Sequence, residues 1–189
     1  MKSVLVSIKP KWCELIASGK KTVEVRKTKP KLETPFKVYI YETKSLYKPN
    51  GCNHLFKGEG KVIGEFVCDK IDEIRVVDTE LMRYVTVNDK ADMFISEETC
   101  LSVDALYDYL WPQKGYGWHI SNLVIYDKPR ELSGFSSYTK DNCPANLNGV
   151  CLDCKRSDVI LCENLDCPHK RITRSPQSWL YVESEVDTE

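Results

Sequence analysis

After about Leu132 the chain loses every periodic apolar segment, and none returns until Trp179-Leu180-Tyr181-Val182. Ser, Asn, Asp, Cys and Pro dominate the stretch between. So few apolar anchors cannot bury enough surface to offset the entropy of ordering it by packing alone. The core must therefore come from the first part of the chain, and the remainder is either stapled or without fixed structure. This divides the sequence into a domain over 1–130 and an extension over 131–189.

The staple is written in cysteines. Cys143, Cys151, Cys154, Cys162 and Cys167, with His169, fall within 27 positions, whereas Cys13, Cys52, Cys68 and Cys100 are scattered over the first hundred. The two-residue gap between Cys151 and Cys154 lets both thiolates of a tight turn reach one tetrahedral Zn²⁺. Cys143, Cys162, Cys167 and His169 are candidates for the other half-site, and the preferred set is Cys143, Cys151, Cys154 and Cys167. Nothing nearby offers a general base or an open coordination position, so the expected metal is structural and contributes folding free energy to the tail. The isolated cysteines read as small core residues. The N-terminus lacks the order of a signal peptide and no apolar run reaches membrane-span length, so the expectation is a cytoplasmic chain with reduced thiols.

The formal net charge of −1 hides an asymmetry: residues 1 to 61 carry 14 basic and 5 acidic side chains, residues 62 to 138 carry 7 and 14, and residues 139 to 189 carry 6 and 9. A basic first third presents a local positive field to a phosphate backbone even in a nearly neutral molecule. Ser3 to Ile8 reads as a strand, and Pro10 suits the first turn of a helix that Gly19 ends in a left-handed cap. Thr22 to Arg26 alternates, with Val23 and Val25 on one face and Thr22, Glu24 and Arg26 on the other. Phe36–Tyr41, Lys61–Ile71 and Trp118–Tyr126 read as further strands, and Tyr47–Gly60 as a loop or long hairpin connection. Ser102 caps a helix running to about Trp111, with Leu106, Tyr109 and Leu110 on its buried face. From Asp72 to Thr99 the pattern is weak and acidic.

The turn Ser18-Gly19-Lys20-Lys21-Thr22-Val23-Glu24-Val25-Arg26 brings two lysines onto a glycine turn that leads into a strand. Arg26 offers a bidentate fork for phosphate, and Lys20 and Lys21 offer point charges. Glu24 suits acceptance from an exocyclic amine or a ribose hydroxyl. The bland alternative is an ion-paired strand face, with Glu24 bridging Lys21 and Arg26. Tyr39, Tyr41, Tyr47, Trp12 and Phe56 are interleaved with Lys37, Lys44, Lys48 and Lys57, a pattern that suits stacking of unpaired bases. Tyr39 and Tyr41 read as core, Tyr47 and Phe56 as exposed, and His119 as a buried, hydrogen-bonded histidine.

The run from Val4 through Lys9-Pro10 and Ile16 to Gly19-Lys20-Lys21-Thr22-Val23-Glu24-Val25-Arg26 resembles the signature of ASCH domains, of the PUA-like superfamily. Gly60–Ile71 and Gly117-Trp118-His119-Ile120 are similar to the family's later strands, and the Cys-rich extension to that of bacterial and phage relatives. The resemblance covers about residues 2 to 128. It implies an α+β fold, a small PUA-like β-barrel with flanking helices, to which the zinc-stapled, loop-rich extension is attached. It also implies a cleft beside the first helix that binds RNA or a nucleotide through Lys20, Lys21, Thr22, Glu24 and Arg26. One branch of the family looks like an amidohydrolase of N4-acetylcytidine. Carried over, its lysine falls on Lys21 and its glutamate on Glu97 or Glu98, while its threonine position holds Glu24, which would have to serve as base for a water. Lys21, Glu24 and Glu98 are thus the catalytic candidates. A third reading makes the Cys-rich tail a surface for a protein partner and the barrel its scaffold.

Overall fold

The computed structural model describes residues 2–48, 53–137 and 171–183. The zinc-ligand candidates Cys143, Cys151, Cys154 and Cys167, their alternatives Cys162 and His169, and also Cys52, lie outside the described residues. The described chain is a sheet-dominated α+β fold with few, short helices. In order, it runs β1 (Lys2–Ile8), α1 (Pro10–Ala17), β2 (Val23–Arg26), β3 (Phe36–Glu42), β4 (Leu46–Tyr47), β5 (Phe56–Lys57), β6 (Val62–Asp78), β7 (Arg83–Val87), β8 (Lys90–Ala91), α2 (Ile95–Thr99), α3 (Val103–Leu110), β9 (Gly115–Arg130), a 3₁₀ turn (Leu132–Gly134) and β10 (Trp179–Glu183). No described helix is long and apolar enough to cross a membrane.

β6 organises the sheet. Its first half pairs β3, its second half pairs β7, and β9 runs antiparallel along much of its length. Register shifts in the β6–β9 ladder, including one between Cys68 and Ile71, let one long strand serve two cores. Phe66 and Cys68 belong to a cluster with Val6, Ile8, Ile16 and Trp118, whereas Ile74 and Val76 belong to a second with Val23, Val25, Leu106 and Leu110. The weak, acidic pattern after Asp72 is therefore the outer half of β6 and its hairpin with β7. Glu73, a half-buried acid of this stretch, is neutralised by Arg75 and Lys114 at 2.7 and 2.6 Å.

β1 pairs β3 in parallel and β10 antiparallel, with Leu5 opposite Leu180. The end of the extension thus returns to the main sheet, and Val182 and Ile172 pack with Leu5, Tyr39 and Phe135 in a third cluster. Among the described residues no ladder joins β2 to β1: β2 pairs only β9, so its other edge carries no strand.

Local sequence chemistry sets the elements that flank this break. Pro10 opens α1 at its first turn, where its missing N–H costs nothing. Gly19, at φ +72°, closes it with a Schellman turn: its N–H donates to Ile16 O and that of Lys20 to Leu15 O, both at 2.9 Å. Ser102 caps α3 by accepting from the Ala105 N–H at 3.2 Å. Cys13 and Cys68 are buried, as isolated cysteines usually are. Burial pushes the Cys68 thiol up to about 12, far from the thiolate range.

Candidate functional site

A cavity of about 630 Å³ occupies the break between β1 and β2. Its lining includes Ile8 from β1, Trp12 from α1, Lys21 from the turn, Glu24 and Arg26 from β2, and Tyr109 from α3. Alternation along β2 explains the division of labour. Val23 and Val25 point into the second core, which leaves Glu24 and Arg26 on the cavity side.

Lys21, Glu24 and Arg26 are only 2%, 6% and 7% exposed. Burial this deep is tolerated for charge only when partners replace water. The Lys21 ammonium donates to the carbonyl oxygens of Val23 and Thr99, both at 2.8 Å, and lies 3.4 Å from Glu24 Oε2. Two of its protons are thus held by carbonyls and its charge is balanced by Glu24, and its Nζ sits 5.4 Å from the centre of the Trp12 ring. Arg26 Nη2 lies 2.8 Å from Glu24 Oε1 and donates to the Ser7 carbonyl oxygen at 2.6 Å, bridging β2 to β1 where no ladder does. The bridging carboxylate and the concave pocket, which the sequence left as alternatives, coexist. Two cations and one carboxylate leave this group with one net positive charge. Among the described residues the buried Nε–H of Arg26 has no acceptor, and an unmet donor of this kind costs about 1–3 kcal/mol.

The remaining candidates fall elsewhere. Lys20 and Thr22 are exposed and do not line the cavity. The Schellman turn explains this: it turns Lys20 outward, and Thr22 precedes β2, with its N–H spent on the Glu98 carbonyl at 2.9 Å. Glu98 is itself exposed and off the cavity wall, as is Glu97, so the expected carboxylate is not delivered to the site. What α2 supplies is backbone: the carbonyls of Glu98 and Thr99 hold the turn and Lys21. Tyr109 is 38% exposed and faces the cavity rather than the core, while Leu106 and Leu110 are buried as expected. Burial of the Tyr109 hydroxyl nonetheless raises its pKa, against the opposing field of Arg26.

Sequence reasoning missed Pro176 and Gln177, which form part of the cavity wall. The Ser7 hydroxyl donates to Pro176 O at 2.7 Å and its N–H to Ser178 O at 2.9 Å, while its own carbonyl holds Arg26. No local pattern announces a contact between segments so far apart. His119 is hydrogen-bonded as expected but half-buried rather than buried: its Nε2 lies 2.7 Å from Asp72 Oδ2. Asp72 is desolvated, which alone would raise its pKa, yet hydrogen bonds from Lys70, Asn88 and His119 prevail and hold it below the usual value. That cluster does not line the cavity.

The family model described as the ASCH domain matches residues 6–126. Similar solved structures include ASCH from Zymomonas mobilis, at 21% identity over 69% of this chain and 73% of that chain, with a TM-score of 0.46. Two point mutants of that Zymomonas mobilis protein match as well. One does so at 21% identity over 70% of this chain and 77% of its own, with a TM-score of 0.45. The other matches at 21% over 69% and 74%, with a TM-score of 0.46. No curated protein matches the chain.

Proposed function

The chain belongs to the ASCH domain family, and from that premise we propose that it binds a nucleotide unit, of RNA or free, in the cavity between β1 and β2. Membership of this PUA-like family supports nucleic-acid binding at a coarse level; the observation that carries the finer reading is the buried Lys21–Glu24–Arg26 chain on the cavity wall. A cavity of this size accepts a small ligand of drug-like dimensions and not a helix or a folded strand. Its net positive charge favours an anion, and Arg26 Nε–H offers the unused donor for a phosphate or base oxygen. Trp12 and Tyr109 supply aromatic surface for a base.

Titration with nucleoside monophosphates followed by calorimetry tests this. Arg26→Lys keeps the charge but removes the Nε–H and the fork, and is expected to weaken binding about tenfold or more. Affinity should fall as salt rises. Equal affinity of Arg26→Lys and the unaltered protein, or affinity flat between 50 and about 200 mM salt, would remove the proposal. Release of acetate from N4-acetylcytidine, abolished by Lys21→Ala, would replace it with the hydrolase reading. Against that reading, Lys21 donates to two carbonyls and is ion-paired to Glu24, an environment that favours the charged ammonium over a free lone pair.

On the spacing of Cys143, Cys151, Cys154 and Cys167 alone, a structural Zn²⁺ is proposed for the extension. Elemental analysis of the purified full chain should find about one zinc per chain, reduced by Cys151→Ser with Cys154→Ser. Metal-free protein of unchanged stability would refute it.

A further inference from the structure

We infer that the β4–β5 ribbon is a stacking platform for single-stranded nucleic acid, holding the nucleotides that flank the one in the cavity. This rests on the nucleotide reading of that cavity and extends it to the polymer. Three observations carry it. First, the ribbon starts at the site: Thr43 and Ser45, at its root, line the cavity. The root is fixed, because a Cβ on Gly58 would lie 2.1 Å from the Thr43 carbonyl and 2.7 Å from Pro10 Cγ, and Gly58 N–H donates to Ser45 O at 2.9 Å.

Second, the ribbon displays rings and apolar surface that it does not bury. Tyr47 and Phe56 are directly opposite in the ladder with ring centroids 6.3 Å apart, and the His54 ring packs edge-on to Phe56 at 4.4 Å. Tyr47 is still 47% exposed, Leu55 47% and Leu46 68%.

Third, between Glu42 and Glu59 the ribbon's own residues carry charge of one sign, and the acid that touches it, Glu14, lies 3.1 Å from His54. From Thr43 to Gly58 the sequence holds Lys44, Lys48 and Lys57 and no Asp or Glu. All three lysines are exposed, and among the described residues none makes a salt bridge. Rings interleaved with unneutralised cations match the alternating bases and phosphates of an unpaired strand; a protein partner of opposite charge would use the lysines but not the stacking geometry.

The test compares cytidine monophosphate with a fluorescein-labelled octanucleotide of mixed sequence, as RNA, as DNA and as a duplex, on the full chain. The single-stranded octamer should bind at least about tenfold more tightly than the monophosphate and than the duplex. Tyr47→Ala should lower octamer affinity about 5- to 100-fold and leave the monophosphate unchanged. Because Tyr47→Ala removes a hairpin contact, Lys44→Gln with Lys48→Gln and Lys57→Gln provides the second arm: it should lower the log–log salt slope of octamer binding by about 2. Equal affinities for octamer and monophosphate, or octamer binding indifferent to both sets of substitutions, would overturn the platform while leaving the cavity reading intact. Octamer binding that depends on Tyr47 with no monophosphate bound would uphold the platform and overturn the cavity reading.

Discussion

Replacing Glu24 by alanine is expected to destabilise the protein by about 3–5 kcal/mol, the cost of leaving buried charges without their counter-ion. Glu24 is the only carboxylate in contact with Lys21 and Arg26 among the described residues, and all three side chains are nearly out of water. Removing it sets two like charges against one wall. Glu24→Gln keeps the side-chain volume and one acceptor oxygen for one of the two cations, and should cost less. The exposed pair of Lys61 and Glu131, 3.3 Å apart, gives the contrast, since Glu131→Ala should change stability by less than about 1 kcal/mol. Urea denaturation at constant m-value measures all three. A Glu24→Ala midpoint indistinguishable from that of the unaltered chain would mean that water reaches the triad, and the proposed preference of the wall for anions would fall with it.

Deleting residues 171–189 is expected to do comparable damage. β10 contributes five register pairs to β1, and Val182 and Ile172 are 0% and 5% exposed. Their two side chains alone represent about 3–6 kcal/mol of apolar burial. The melting temperature should therefore drop by on the order of 10 °C or more, or the cooperative transition should disappear. Nucleotide binding should weaken as well, because Pro176 and Gln177 leave the cavity wall. If the shortened chain does not express, Val182→Asp tests the same contact by burying a carboxylate without a partner. Unchanged melting in either variant would show that β10 is dispensable.

What the sequence made legible was local. The Gly19 turn, the Ser102 cap and the Val23–Val25 alternation each depend on residues within one turn or one strand, so their chemistry can be read in place. Lys21, Glu24 and Arg26 were found for the same reason, since β2 alternation puts the last two together and the turn adds the first. What holds them was not legible. Lys21 and Arg26 are tied down by the backbone carbonyls of Thr99 and Ser7, and any residue type presents a carbonyl. Glu98 shows the converse: a side chain was expected at the site, whereas the structure uses that residue's main chain. Tyr109 fits the helical spacing of a core residue, and only the break between β1 and β2 makes its position a cavity wall.

The pairing of Leu5 with Leu180 has a consequence for how the molecule comes into being. A ribosome adding about 5–20 residues per second completes β10 roughly ten to thirty seconds after β1. Throughout that interval the strand Val4-Leu5-Val6 presents a bare, apolar margin on the flank that β10 later covers. Such a margin is a template for the wrong neighbour until β10 covers it.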